Sequence, residues 1–339
     1  MQLRDLGLED QKTRTTIREM SFGGDSALLV KGLDFRSANN NSVFHLSMPE
    51  LRLAADLRST DISRLALQSL LADKTTIHYT NVKGKDTLES SAVAAIRIGN
   101  TTLNKGWLQY ERAAIDLADA TVRKGNMRIH VPAVSLRLSN GRFESKNGQG
   151  SNTGQGSYNR PVLSTAVLLT WRDARLGYNK DSMTFAADGI SGTFKEDAFH
   201  WSPGAKLGWQ RLAGNTTIDK GSIRYKGKKI TADVTAFSWQ PKNRALTFSD
   251  FSVVPNESRD TVFSKARWQG DYIDIKGARV SFTGIEFPRE SRLSFVRINK
   301  VALDGILVNA SRDKRIPFQH GLEKLMPTQL INTISFPVC

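Results

Sequence analysis

Apolar residues recur at every second position in segment after segment of this chain, and a sheet with one apolar face is the arrangement that accepts such spacing. Met127-Arg128-Ile129-His130-Val131 puts Met127, Ile129 and Val131 on one side and Arg128 and His130 on the other. Val134-Ser135-Leu136-Arg137-Leu138 resumes the pattern after Pro132 and runs into the turn signal Ser139-Asn140-Gly141. The same grammar reads in Phe44-His45-Leu46-Ser47-Met48, Pro49, Leu51-Arg52-Leu53, and again in Val296-Arg297-Ile298 followed by Val301-Ala302-Leu303, Ile306 and Val308. In each case the apolar residues flanking the break lie three apart: Met48 to Leu51, Val131 to Val134, Ile298 to Val301. An odd step exchanges the two faces unless a bulge or kink absorbs the extra residue. Pro at two of the breaks fits such a kink.

More strands follow from the same spacing, among them Thr76-Ile77-His78-Tyr79, Ala94 to Ile98, Val167 to Trp171 and Gly221 to Tyr225. Tyr225-Lys226-Gly227-Lys228-Lys229-Ile230 reads as a tight hairpin, and Tyr272-Ile273-Asp274-Ile275 with Arg279-Val280-Ser281-Phe282 as a strand pair turning at Lys276-Gly277. Helical spacing is confined to Asp61–Leu71, Ser258–Phe263 with Ser258 as cap, and Pro327–Ile331. Strands do not alternate with long amphipathic helices, which excludes a doubly wound α/β enzyme. The expected fold is all-β: an elongated, twisted antiparallel sheet curled into a groove, with a few short connecting helices. The polar stretch from Asn147 to Ser157 is followed by Tyr158-Asn159-Arg160-Pro161 instead of a helix, so it reads as a flexible loop and not a phosphate-binding one. Residues 147–160 thus join a segment at 1–146 to one at 161–339, the two being parts of a continuous groove.

The chemistry of most enzyme classes lacks its residues here. The one cysteine among 339 residues is Cys339, which excludes a disulfide scaffold and a thiolate zinc site. His45, His78, His130, His200 and His320 are scattered without metal-ligand spacing, and the first three fall on outward strand positions. No Gly-x-Ser-x-Gly elbow occurs, and acids such as Asp271, Asp274, Glu286 and Glu290 stand singly. A non-catalytic protein without cofactor or metal is the expectation. Trp107, Trp171, Trp201, Trp209, Trp239 and Trp268 read as core or groove lining. The formal charge is +15, and from Trp201 onward 22 basic residues face 12 acidic ones. Such a field attracts polyanions, yet no basic helical stripe, zinc-finger spacing or aromatic RNP-type strand accompanies it, so no nucleic-acid partner is expected. Lys226 to Lys229 and Arg312-Asp313-Lys314-Arg315 read as a hairpin turn and a strand-exit loop. No stretch approaches the roughly 20 apolar residues of a membrane span, and the first ten residues lack a signal-peptide core.

Phe237-Ser238-Trp239-Gln240-Pro241, Leu246 to Phe251, Pro255, Ser258-Arg259-Asp260, Gln269, Asp271-Tyr272-Ile273, Arg312 to Phe318, Met326-Pro327-Thr328 and Ser335-Phe336-Pro337 together resemble large envelope proteins of Bacteroidetes-type bacteria. Those proteins are similar to the AsmA and TamB group. The resemblance is best from about Ala236 to Val338; through Met1 to Asn140 it rests on the strand–Pro–strand grammar. It implies a long β-groove handling lipid in the periplasm, tethered to the inner membrane in the full-length protein, and hence that this chain is a fragment. A groove of this kind holds acyl chains along its apolar face. Ile129, Val131, Val134, Leu136, Ile273, Ile275, Val280 and Phe282 are the expected lining residues. The expected partners are phospholipid or another acyl lipid, with envelope membrane proteins, the chain itself being a monomer. Two rival expectations are a structural or adhesive β-repeat protein with a closed core, and a glycan hydrolase needing two carboxylates in a cleft.

Overall fold

The computed structural model describes residues 2–10, 12–23, 27–55, 64–83, 86–104, 107–144, 162–202 and 205–317. They form an all-β protein with fifteen strands and two short helices. The strands are β1 (Gln2–Glu9), β2 (Thr13–Gly23), β3 (Ala27–Ala38), β4 (Ser42–Ala55), β5 (Arg64–Lys83), β6 (Asp86–Asn104), β7 (Trp107–Lys124) and β8 (Met127–Glu144). There follow β9 (Val162–Lys180), β10 (Met183–Trp201), β11 (Thr216–Lys226), β12 (Ile230–Gln240), β13 (Ala245–Pro255), β14 (Asp271–Thr283) and β15 (Lys300–Arg312). Helix α1 (Trp209–Asn215) precedes β11 and α2 (Arg259–Lys265) precedes β14. Each strand hydrogen-bonds to its sequence neighbours in a single antiparallel sheet, order β1 to β15, in which the first and last strands are not neighbours. The stretches 147–160 and 327–331 lie outside the described residues.

The chain divides into two compact units. The first comprises Met1–Tyr178, Ala187–Lys206 and Asn215–Lys220. Its elements are strands, and their close packing is between sequence neighbours. The second comprises Asn179–Ala186, Leu207–Gly214 and Gly221–Cys339. It holds α2, all of α1 but Asn215, and the segment after β14. Ser258 caps α2 as expected, its hydroxyl accepting from Thr261 N at 3.3 Å.

The odd steps have a physical cause in the backbone. Asp5, Gly32, Lys74, Asp119, Asp173, Gly189, Asp250 and Gly305 lie inside strands at φ between 48° and 63°. Such a residue turns its own amide and carbonyl out of the ladder, as in a bulge, and the ladder skips it: Leu3, Arg4 and Leu6 pair with β2, but Asp5 does not. Gly, Asp and Asn tolerate this conformation best, which explains seven of the eight, all but Lys74. The strand opposite makes the matching step. Pro49 falls in the skipped positions facing Lys74, and Pro132 in those facing Asp119 and Asp173. Proline fits there because no ladder partner asks for its missing N–H.

The steps leave the apolar set on one face. In β5, Ala72 and Thr75 are three apart and both are buried, 1% and 0% exposed. In β7, a second skipped row at Asn100, Glu111 and Asn140 leaves Ala113 and Tyr110 both buried.

Several local expectations are corrected. Ser139-Asn140-Gly141 is not a turn: β8 runs through it, Asn140 taking the left-handed conformation, and Gly141 is needed because a Cβ there would fall within the ring of Tyr110 on β7. Nor does the chain turn at Lys276-Gly277. β14 is continuous, and the Phe251 ring occupies the space where a Gly277 side chain would stand. Residues 64–71, expected as helix, open β5, because pairing with β4 and β6 outweighs their helix-like spacing; Asp61 to Ser63 lie outside the described residues. The gap between Ile298 and Val301 is the entry to β15, and the kink of that strand sits at Gly305. Helix α1 lies outside the segments of helical spacing in the sequence.

Replacing Asp119 by Val forces a β-branched residue into the left-handed region and should cost about 1–2 kcal/mol, whereas Asp119→Gly should be close to neutral. Urea unfolding of the two variants checks this; equal losses would sink the conformational account.

Candidate functional site: the apolar face

In the first unit the register builds rows of apolar side chains straight across the strands. Leu3, Met20, Val30, Leu51, Ala72, Ile96, Ile115, Leu136 and Leu169 are each cross-strand partners of the next, from β1 to β9. A second row runs Phe22, Leu28, Leu53, Leu70, Ile98, Ala113, Leu138 and Val167. Partners in register share a face. Of the expected lining residues, Leu136 lies in the first row. Ile129 pairs with Val122 and Leu176, Val131 with Ala120, and Val134 with Leu117 and Trp171. All four are half-buried.

Among the described residues no leucine is fully buried, although leucine is ordinarily one of the most buried types. The fully buried apolar positions of this unit are mostly small or occasional: Val30, Ala55, Ala72, Ala94, Tyr110, Ala113, Val167, Ala174, Ala187 and Phe194. The large side chains of the rows therefore touch one another along the sheet while keeping an outer side open. Tyr110, missed in the sequence, is buried beside Gly141, and among the described residues its hydroxyl makes no well-formed hydrogen bond, Thr165 being its nearest polar neighbour. Burial pushes its phenol pKa up. The nearby Thr165 Oγ1 donates instead to the carbonyls of Ser139 and Ala166 at 3.0 and 3.1 Å. Removing an unsatisfied buried hydroxyl removes a desolvation cost. Tyr110→Phe should therefore leave stability unchanged or raise it; a loss above about 1 kcal/mol in urea unfolding would contradict the geometry.

The opposite face of this unit is mainly polar, although Leu71, Val93 and Leu168 are exposed on it. His45, His78 and His130 stand there, as the alternation predicts, with His45 Nε2 2.7 Å from Asp34 Oδ2 and His130 3.6 Å from Asp119. Arg97 and Arg137 both reach Asp116, at 3.0 and 2.7 Å. The hydrogen bond from Arg137, ahead of that from Ser135 and the nearby guanidinium charges, holds the Asp116 carboxyl below the usual carboxylate range against the opposing pull of burial. A depressed folded-state pKa stabilises the fold above the ordinary value near ~4 and loses that contribution as pH falls through the lowered value. Asp116→Asn should accordingly narrow the gap between urea midpoints measured at neutral and acid pH; an unchanged gap would refute the assignment.

In the second unit, Ile275 pairs with Val253 and Val308, Val280 with Phe248 and Leu303, and Phe282 with Leu246 and Val301. Phe248 packs edge-on to Phe282 at 5.9 Å and tilted against Phe237 at 6.4 Å. The expected lining residues differ here in access: Ile273 is 44% exposed, Ile275 and Phe282 are half-buried, and Val280 is closed off at 8%.

One end of this unit's apolar face is capped. Trp239 Nε1 donates to Ala213 O of α1 at 2.9 Å, and Phe287 meets the indole edge-on at 5.8 Å. Trp209 N and Gln210 N donate to the carbonyls of Glu290 and Pro288, and Ile285 N to that of Arg244. Beside these contacts lies a cleft of about 580 Å³ lined by Trp239, Ile285, Phe287, Phe295, Arg244, Glu286, Arg289 and Glu290, among others. Trp239 is core, as expected of it, while Trp201, Trp209 and Trp268 are each exposed by more than a third. Lys226 to Lys229 make the expected hairpin, Gly227 N donating to Ile230 O. Arg312 to Arg315 leave β15 as a loop, where hydrogen bonds from the Arg315 side chain hold the Asp313 carboxyl down at about 2.

Among the described residues no helix is long and apolar enough to cross a membrane. Fold and site define a class: an all-β protein built on one antiparallel sheet, whose first unit has one apolar face and one mainly polar face. No protein-family model, curated protein or solved structure matches the chain.

Proposed function

We propose that this chain is a non-catalytic lipid-handling protein of the cell envelope that holds acyl chains along the apolar face of its sheet. The observation carrying the reading is the pair of uninterrupted apolar rows across the first unit, whose large side chains stay half-exposed. Exposed apolar surface of that extent is a liability in water unless something apolar covers it. Hydrocarbon tails suit a surface of Leu, Ile and Val without directional polar groups. The resemblance to AsmA- and TamB-like envelope proteins supports the same reading and suggests periplasmic action near an inner membrane, with phospholipid or another acyl lipid as partner.

Lipid extracted from the purified chain and identified by mass spectrometry tests the proposal. Wild-type protein should carry phospholipid. Ile129→Asp with Leu136→Asp, which places charges among the rows, should lose most of it, whereas Arg128→Asp on the polar face should keep it. Lipid-free, monodisperse wild-type protein, or equal loss in the polar-face control, would overturn the reading.

A further inference from the structure

The capped end of the second unit has features that plain acyl binding does not require. The cleft there has an apolar floor, with Trp239 and Ile285 exposed by only 7% and 4%, and its volume of about 580 Å³ falls in the range of small-ligand sites. Its rim carries two cations and two carboxylates. Arg244 Nη1 and Glu286 Oε1 are 3.5 Å apart and answer each other. Arg289 and Glu290 are exposed and have no ion-pair partner among the described residues.

Those two are held in place by the main chain rather than by each other. The carbonyl of Glu290 accepts from Trp209 N at 3.1 Å, and Gly208 lies so close to the Arg289 carbonyl that no Cβ would fit. The fixed backbone therefore presents an unspent positive and an unspent negative side chain side by side at the mouth of an aromatic cleft. A purely anionic ligand would meet repulsion from Glu290, and a purely cationic one from Arg289. A ligand with both charges and an apolar tail satisfies every group.

We infer that this cleft takes the zwitterionic headgroup of a phospholipid, phosphate toward Arg289 and ammonium toward Glu290, with the start of an acyl chain against Trp239 and Phe287. The inference rests on the lipid-handling reading and names the headgroup class that reading leaves open. Arg suits phosphate through its forked donors, and carboxylate with aromatic faces suits ammonium.

The test is calorimetric titration of the full chain with soluble dihexanoyl phosphatidylethanolamine, dihexanoyl phosphatidylglycerol and dihexanoylglycerol. The ethanolamine lipid should bind most tightly. Glu290→Gln should weaken it about tenfold while leaving the glycerol phospholipid as tight or tighter, and Arg289→Gln should weaken both about tenfold, as for a hydrogen bond to a charged group. Both side chains are exposed, so the fold should survive, and matching urea midpoints would verify that. Equal affinity for the two phospholipids, equal binding of dihexanoylglycerol, or a weakening of both phospholipids by Glu290→Gln would overturn the inference. Retained co-purified lipid with headgroup-blind binding defeats this inference alone. Selective short-chain binding with no co-purified lipid defeats the broader acyl-face reading alone.

Discussion

Main-chain hydrogen bonding between adjacent strands carries this molecule, and it does so under a constraint that side chains impose. A strand presents alternate residues to opposite faces, so a long run keeps its apolar set on one side only if nothing disturbs its parity. Here most strands are disturbed once, some twice. A left-handed residue on one strand, matched by a skipped position on its neighbour, changes the parity of both together. Where β6 runs on without a step, the extra residues of β5 and β7 appear instead as register shifts between Ala72 and Thr75 and between Ser91 and Val93. The apolar rows exist because these adjustments agree from strand to strand.

The two units use that constraint differently. In the first, alanine, threonine and valine fill the tightest positions while leucine and isoleucine stand half-open, so the sheet gains its packing laterally. In the second, Phe237, Phe248 and Phe282 meet tilted and edge-on across three strands, and Trp239, Phe287 and Ile285 pack together beside α1.

Much of this was legible from residue order. Alternation identified the strands and assigned Ile129, Val131, Val134 and Leu136 to one side. The three-residue steps at Pro49 and Pro132 pointed to kinks. What misled was chemistry shared by two structures: Asn-Gly and Lys-Gly dipeptides favour hairpin turns, but the same tolerance of positive φ or close approach serves a kink or a crowded strand interior. Only neighbours distant in sequence decide between them, the ring of Tyr110 over Gly141 and that of Phe251 over Gly277. The stretch from Arg64 to Leu71 likewise carries helix-like spacing, and the strands on either side determine its conformation. The cleft was the least readable part, since α1 and the residues from Ile285 to Phe295 show no periodicity and meet through backbone contacts.

The kinks also set how this chain can change over generations. In an ordinary sheet, loss or gain of one codon inside a strand is ruinous, because everything beyond it turns inside out. At a position the ladder already skips, such as Lys74 opposite Pro49, an indel could be answered by a compensating one in the adjoining strand, with the hydrogen bonds on either side untouched. Paired length changes at these loci, rather than drift in the turns, are the signature to look for when longer or shorter versions of this sheet are aligned.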